Sequence, residues 1–266
     1  MAEKADLYNT SYGNYADEMY RQIRVETYGE DLGQTSWMSL DEFRKIIQLL
    51  EVNQSSRVLE IGSGSGGSAL HLAETVGCRV VGVDVNEAGV KNGNALAKSR
   101  NLEALARFDR CDAGKPLPFD DESFDAIYSN DAICHIPGRL SVLNDWHRLL
   151  KPGGRIAFSD ALVVTGALSD EELATRSSIG YYLFVPPGEN EGLIKEAGFR
   201  LLSAEDVTEA AAALSQRRRD SRAKRADKLS QIEGEANFAG LQKFLACVHS
   251  LSSERRLSRF LYVARK

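Results

Sequence analysis

The stretch 57-RVLEIGSGSGGSALHLAETV-76 decides the fold. Its opening residues, Arg57 to Ile61, read as a short buried strand. Four glycines then crowd positions 62 to 67, and Ser68 to Val76 reads as a helix. A strand that turns sharply through glycine into a helix leaves main chain without side chains at the carboxyl edge of a sheet. Gly62, Gly64 and Gly67 satisfy G-x-G-x-x-G, while Gly62, Gly64 and Gly66 satisfy G-x-G-x-G. Both spacings describe a backbone cradle for a ligand.

Working outward, strand and helix patterns alternate. Strands are expected over 79–85, 104–111, 124–129 and 155–160, with helices over 87–100 and 140–150, the latter stopped by 152-PGG-154. Further helices fall at 169–182 and 189–197, a strand at 199–207, a charged helical stretch over 209–248, and a closing strand at 257–266. The alternation implies an α/β protein: a Rossmann-like, seven-stranded, mostly parallel sheet with helices on both faces. One domain is expected. It comprises an N-terminal helical lid (1–37), a ligand-binding core (38–207), a helical cap (208–256) and the closing strand. Five of the nine tyrosines, Tyr8, Tyr12, Tyr15, Tyr20 and Tyr28, fall within the lid segment.

Composition narrows the classes. With 266 residues, 43% hydrophobic and 27% charged, the chain is an ordinary globular protein able to bury a core without disulfides. No apolar run approaches the ~20 residues of a membrane span, and from the polar first twenty residues no secretory signal is expected. Cys78, Cys111, Cys134 and Cys247 lack C-x-x-C spacing, so reduced thiols and a cytoplasmic location are expected. A net charge of −5 argues against a nucleic-acid partner. The basic run from Arg217 to Arg225 reads as a solvated helix face. Asp131 and Asp160 are too few for a metal site, and none is expected.

The glycine pattern alone leaves a nicotinamide cofactor and S-adenosylmethionine open. The surrounding segments separate them. Glu60 precedes the first glycine, Asp84 ends the second strand and Asp112 the third. The ordered set 58-VLEIGSGSGG-67, Asp84, 117-LPFDDESFDAI-127 and 149-LLKPGG-154 resembles the class I S-adenosylmethionine-dependent methyltransferases. An NAD-dependent oxidoreductase, the rival class, gives the last two segments no role. Further, 128-YSNDAICHIPGR-139, with Tyr15-Ala16-Asp17-Glu18 and Tyr28-Gly29-Glu30, resembles sarcosine/dimethylglycine and phosphoethanolamine N-methyltransferases. The resemblance implies that Gly62, Ser63, Gly64 and Gly66 approach the methionine part of S-adenosylmethionine, with Glu60 near its amine. It also implies that Asp84 holds the ribose hydroxyls and Asp112 the adenine amino group. Val85, Ala113 and Asn130 complete the expected cofactor cleft.

The acceptor is expected to be a small molecule, most simply an amine nitrogen, with O- or C-methylation as the alternative. A base eases loss of the acceptor's proton, and His135, after the fourth strand, is the candidate; the resemblance implies that Tyr15 orients it from the lid. Tyr20, Tyr28, Trp37, Asp131, Tyr181 and Tyr182 are expected around the acceptor, where aromatic rings suit a cationic or apolar group. His71, His147 and His249 read as structural. Monomer and homodimer fit equally.

Overall fold

The computed structural model describes residues 5–266. Two helices, α1 (Leu7–Gly13) and α2 (Glu18–Tyr28), precede α3 (Leu40–Leu50). The core then runs β1 (Arg57–Ile61), α4 (Gly67–Val76), β2 (Arg79–Asp84), α5 (Glu87–Ser99), β3 (Ala106–Arg110) and β4 (Phe124–Asn130). A single 3₁₀ turn, Ile133–His135, leads to α6 (Arg139–Leu149) and β5 (Leu150–Val164). Next come α7 (Asp170–Arg176), α8 (Glu189–Glu196) and β6 (Arg200–Asp206). The cap helices α9 (Thr208–Ala223), α10 (Ala226–Glu233) and α11 (Glu235–Ser253) lead into β7 (Leu257–Arg265).

The seven strands lie in the order β3-β2-β1-β4-β5-β7-β6. All adjacent pairs from β3 to β5 are parallel; β7 runs antiparallel to both β5 and β6. The order reverses between β1 and β4, and a ligand crevice forms outside the carboxyl ends of such a sheet where the order reverses.

Strand alternation sorts the core into two layers. Val58, Ala126, Tyr128, Ala157, Leu261 and Val263 pack with Phe43, Ile46 and Leu70 on one face. Leu59, Ile61, Ile127, Ile156, Phe158 and Tyr262 pack with Leu143, Trp146 and Leu149 on the other. Each large apolar side chain so buried contributes roughly 1.5–3 kcal/mol. A third cluster joins Leu7, Tyr28 and Trp37 to Leu214, Leu241 and Phe244, so the N-terminal segment is seated on the cap helices.

Three segments differ from the sequence reading. β5 continues to Val164, because the residues after Asp160 remain apolar and pair with β7. α7 ends at Arg176, not at residue 182; Ser177 takes a non-helical conformation there, and Gly180 at φ +152° follows in a loop. The basic run is not wholly solvated, since Arg218 is only 7% exposed and Arg222 only 3%. Arg222 pairs with Glu233 at 2.6 Å, and Arg218 reaches Ser11 Oγ at 3.3 Å.

Candidate active site

The carboxyl ends of β1 to β4 open into a cavity of about 440 Å³, covered by residues of α1 and by the 33–37 loop. Gly62 and Gly64 take left-handed backbone at φ +74° and +52°, so β1 turns there without presenting a side chain. The Gly64 N–H donates to Asp84 Oδ2 at 2.8 Å, and the Asn86 N–H donates to Oδ1 at 2.8 Å. Asp84 thereby ties the glycine turn to the end of β2. Burial raises its pKa, and these backbone donors pull it back. Asp112 sits at the far lip, its Oδ1 accepting from the Gly114 N–H at 3.0 Å. Val85, 61% exposed, and Ala113 lie on the same rim.

Glu60 lies deeper and is almost wholly buried. Its Oε2 and the Asn130 Nδ2, both on the cavity wall, have no hydrogen-bond partner among the described residues. Burial pushes the Glu60 carboxyl up to about 8. An unsatisfied carboxyl, an unsatisfied amide and a side-chain-free turn are donors and acceptors suited to a polar, amine-bearing ligand. Residues of this type fit S-adenosylmethionine.

At the other end stands His135. Its Nδ1 lies 2.9 Å from the Tyr181 carbonyl, which can only accept, so Nδ1 carries the proton. Nε2 is then the acceptor, and the Tyr8 hydroxyl donates to it at 2.7 Å. Desolvation lowers the imidazole to about 4, so the ring is neutral. Tyr182 lies against it, ring centroids 4.3 Å apart. Arg176 sits over the Tyr182 ring at 4.5 Å, and Trp37 completes the wall.

Known proteins resemble this chain in sequence and in fold. Residues 59–158 match the family described as a methyltransferase domain. The chain is an S-adenosylmethionine-dependent methyltransferase. The methyltransferase is 29% identical over 265 residues to 27-O-demethylrifamycin SV methyltransferase of Amycolatopsis mediterranei (strain S699), covering 94% of each chain. It is 30% identical over 177 residues to phosphoethanolamine N-methyltransferase 1 of Zea mays, covering 66% of this chain but 34% of that protein. Its fold superposes on Haemonchus contortus phosphoethanolamine N-methyltransferase 2, solved with phosphomonomethylethanolamine and S-adenosylhomocysteine. That match has a TM-score of 0.81 at 20% identity, over 97% of this chain and 60% of the other. Among the described residues, no group of His, Cys, Asp or Glu is placed to hold a metal ion, and no helix is long and apolar enough to cross a membrane.

The methyltransferase gathers most of the residues expected from its sequence onto this one cavity: Glu60, Gly62, Ser63, Gly64, Asp84, Val85, Asp112, Ala113, Asn130, His135, Trp37, Asp131, Tyr181 and Tyr182. Gly66 is not on the wall; a Cβ there would lie 2.4 Å from the Phe108 ring, so its bareness serves packing against β3. Tyr15 does not orient His135. It lies outside the cavity, with the Arg24 guanidinium 4.4 Å from its ring centroid, and Tyr8 takes the position beside the imidazole. Tyr20 turns away to donate to Glu233 at 2.6 Å, and Tyr28 donates to the Ser36 carbonyl at 2.8 Å; both brace the lid. Asp131 touches the cavity but has no idle oxygen. Oδ1 accepts from Ser159 Oγ at 2.8 Å and Arg259 Nε at 2.7 Å, and Oδ2 accepts from the Trp37 N–H at 2.7 Å.

Two site residues escaped the sequence reading. Tyr8 was one tyrosine among five in a segment without strong periodicity; only the docking of α1 on the cap selects it. Arg176 carries no sequence signal, because an arginine that ends a short polar helix reads as surface. The structure leaves it 1% exposed, on the cavity wall.

Proposed function

We propose that the enzyme transfers a methyl group to a hydroxyl oxygen of a small-molecule acceptor held between Tyr8, Trp37 and Tyr182. The observation that carries this reading is the neutral His135 with its Nε2 lone pair occupied by the Tyr8 hydroxyl. S-adenosylmethionine, when bound, supplies an electrophilic methyl group on a sulfonium. Gly62, Ser63 and Gly64 would hold its methionine part, with Glu60 at the amine. Asp84 would accept from the ribose and Asp112 from the adenine amino group, and Val85, Ala113 and Asn130 would flank them.

The residues of this chain then handle the acceptor's proton. As the new bond to oxygen forms, the hydroxyl proton becomes far more acidic than an imidazolium. It passes to the Tyr8 oxygen while the Tyr8 proton passes to His135 Nε2. A base held at about 4 suffices for that transfer. The same base cannot deprotonate an alkyl ammonium. The gap from an ammonium near 10.4 is about six pKa units, or roughly 8 kcal/mol. The residue best placed to attract an ammonium, Asp131, is fully engaged by Arg259, Ser159 and the Trp37 N–H. Burial of His135 therefore moves the preference from the amine suggested by sequence to a hydroxyl. The relative matched along 94% of both chains is named for an oxygen acceptor, which supports the same choice.

The test is a methyl-transfer screen with isotopically labelled S-adenosylmethionine against a metabolite library containing matched alcohols, phenols and amines. Labelled methyl ethers are the expected products. Labelled amines with no labelled ether would refute an oxygen acceptor.

A further inference from the structure

Among the described residues, Arg176 is the one lysine or arginine on the cavity wall. It is 1% exposed, and its Nε and Nη1 have no hydrogen-bond partner among the described residues. None of the ion pairs among the described residues includes it. Among the described residues its charge is met by the Tyr182 side chain, whose ring centroid lies 4.5 Å away, and by the Phe244 ring at 5.1 Å, and by no carboxylate. A desolvated cation without an anion is costly, and buried donors left unsatisfied in a folded protein call for a partner. The other buried arginines of this chain illustrate the contrast. Arg139 is paired with Asp160, Arg222 with Glu233, and Arg259 with Asp131 and Glu42, while Arg218 has no carboxylate partner among the described residues but donates to the Thr35 carbonyl and Ser11 Oγ. Arg176 differs from them in facing the cavity.

We infer that Arg176 is a specificity-determining residue that anchors a singly charged anionic oxygen group of the acceptor, of the carboxylate type. The inference rests on the reading that the His135 end of the cavity takes the acceptor. The charge count argues for a monoanion over a phosphate. Among the described residues one guanidinium faces the cavity, His135 is neutral, and the carboxylates of Asp84 and Asp112 line the same cavity without a cation buried beside them. A dianion there would leave negative charge uncompensated. Arg176 ends α7 and Tyr181 and Tyr182 follow shortly in the loop, so the anion contact and the imidazole's carbonyl partner come from one short segment. An acceptor tethered by its anionic group would present its hydroxyl to Tyr8.

The test is a binding measurement independent of turnover. The protein saturated with S-adenosylhomocysteine is screened by ligand-observed NMR against aromatic carboxylates, each paired with its primary amide, and against the matching aryl phosphates. The expected result is enrichment of carboxylates among binders, the best exceeding its amide by about tenfold or more, as charge-assisted hydrogen bonds allow. Arg176→Gln should weaken the carboxylates to the level of the amides and leave amide and S-adenosylhomocysteine affinities unchanged. Equal binding of carboxylates and amides by the native protein overturns the inference, whether or not the variant folds. So does a carboxylate preference that survives in Arg176→Gln, and aryl phosphates that outbind the carboxylates overturn the single-charge assignment. A failure to methylate any hydroxyl would appear only in the turnover screen, so the two readings fail separately.

Discussion

The Tyr8 hydroxyl and His135 Nε2 meet at 2.7 Å across 127 positions of chain, one group on the lid and the other on the sheet edge. His135→Ala is expected to lower turnover by about 10²–10⁴-fold, the usual contribution of a positioned base, and Tyr8→Phe by about tenfold or more. S-adenosylhomocysteine affinity should change little in either. Steady-state kinetics with calorimetric titration checks the split. Because desolvation holds the imidazole at about 4, the rate should show no histidine inflection near 6.5 and should fall only as pH drops toward 4. A bell limb centred near 6.5 and abolished in His135→Ala would contradict the assigned protonation.

Glu60 carries the opposite pH signature. Its folded pKa, about 8, lies above the ordinary glutamate value, so the folded chain keeps a proton that the unfolded chain releases. Its stabilising contribution is complete below the unfolded pKa and is lost as pH rises through 8. The cofactor-free protein should therefore lose thermal stability between pH 5 and 8 relative to Glu60→Gln, as melting curves would report. Binding of S-adenosylhomocysteine, whose ammonium favours the ionised carboxyl, should release a proton at pH 7. Calorimetry in buffers of different ionisation enthalpy would detect it, and buffer-independent heats would remove Glu60 from the amine's side.

Gly67 tests the lid. A Cβ at this first residue of α4 would lie 1.3 Å from the Leu32 carbonyl oxygen, a main-chain atom that cannot swing aside. Gly67→Ala should displace the segment around residues 31–36 while leaving the helix intact. The expected result is a drop of about tenfold or more in S-adenosylhomocysteine affinity with an unchanged far-ultraviolet spectrum. Native affinity in this variant would show that the lid does not shape the cofactor cleft.

Arg259 is fully buried and bonds Asp131 and both oxygens of Glu42. Arg259→Met leaves two buried carboxylates unpaired, so urea unfolding should report a loss of about 3–5 kcal/mol. Asp131 holds the Trp37 main chain, so the same variant should shift Trp37 fluorescence.

The sheet and the cofactor cleft were legible because their signals are local. A glycine turn, an acid at a strand end and an apolar run each declare themselves within a few residues, and Glu60, Asp84, Asp112 and His135 all reach one cavity. The lid was not legible. Tyr8, Tyr12, Tyr15, Tyr20 and Tyr28 look alike in sequence, and what separates them is the tertiary neighbour each meets: Tyr8 and Tyr28 join the cluster with α9 and α11, Tyr20 packs with Leu229, Tyr12 meets Thr35 and Tyr15 meets Arg24. Tyr20 finds Glu233 and Tyr28 finds the Ser36 carbonyl, both partners set by tertiary packing. Arg176 was hidden for the same reason, since burial of a cation against Tyr182 and Phe244 has no periodicity to announce it.

Tyr8 belongs to α1, yet it completes the hydrogen-bonded pair on His135. One helix therefore both borders the cavity and supplies the phenol of the pair, so a substitution that unseats α1 from the cap would remove both.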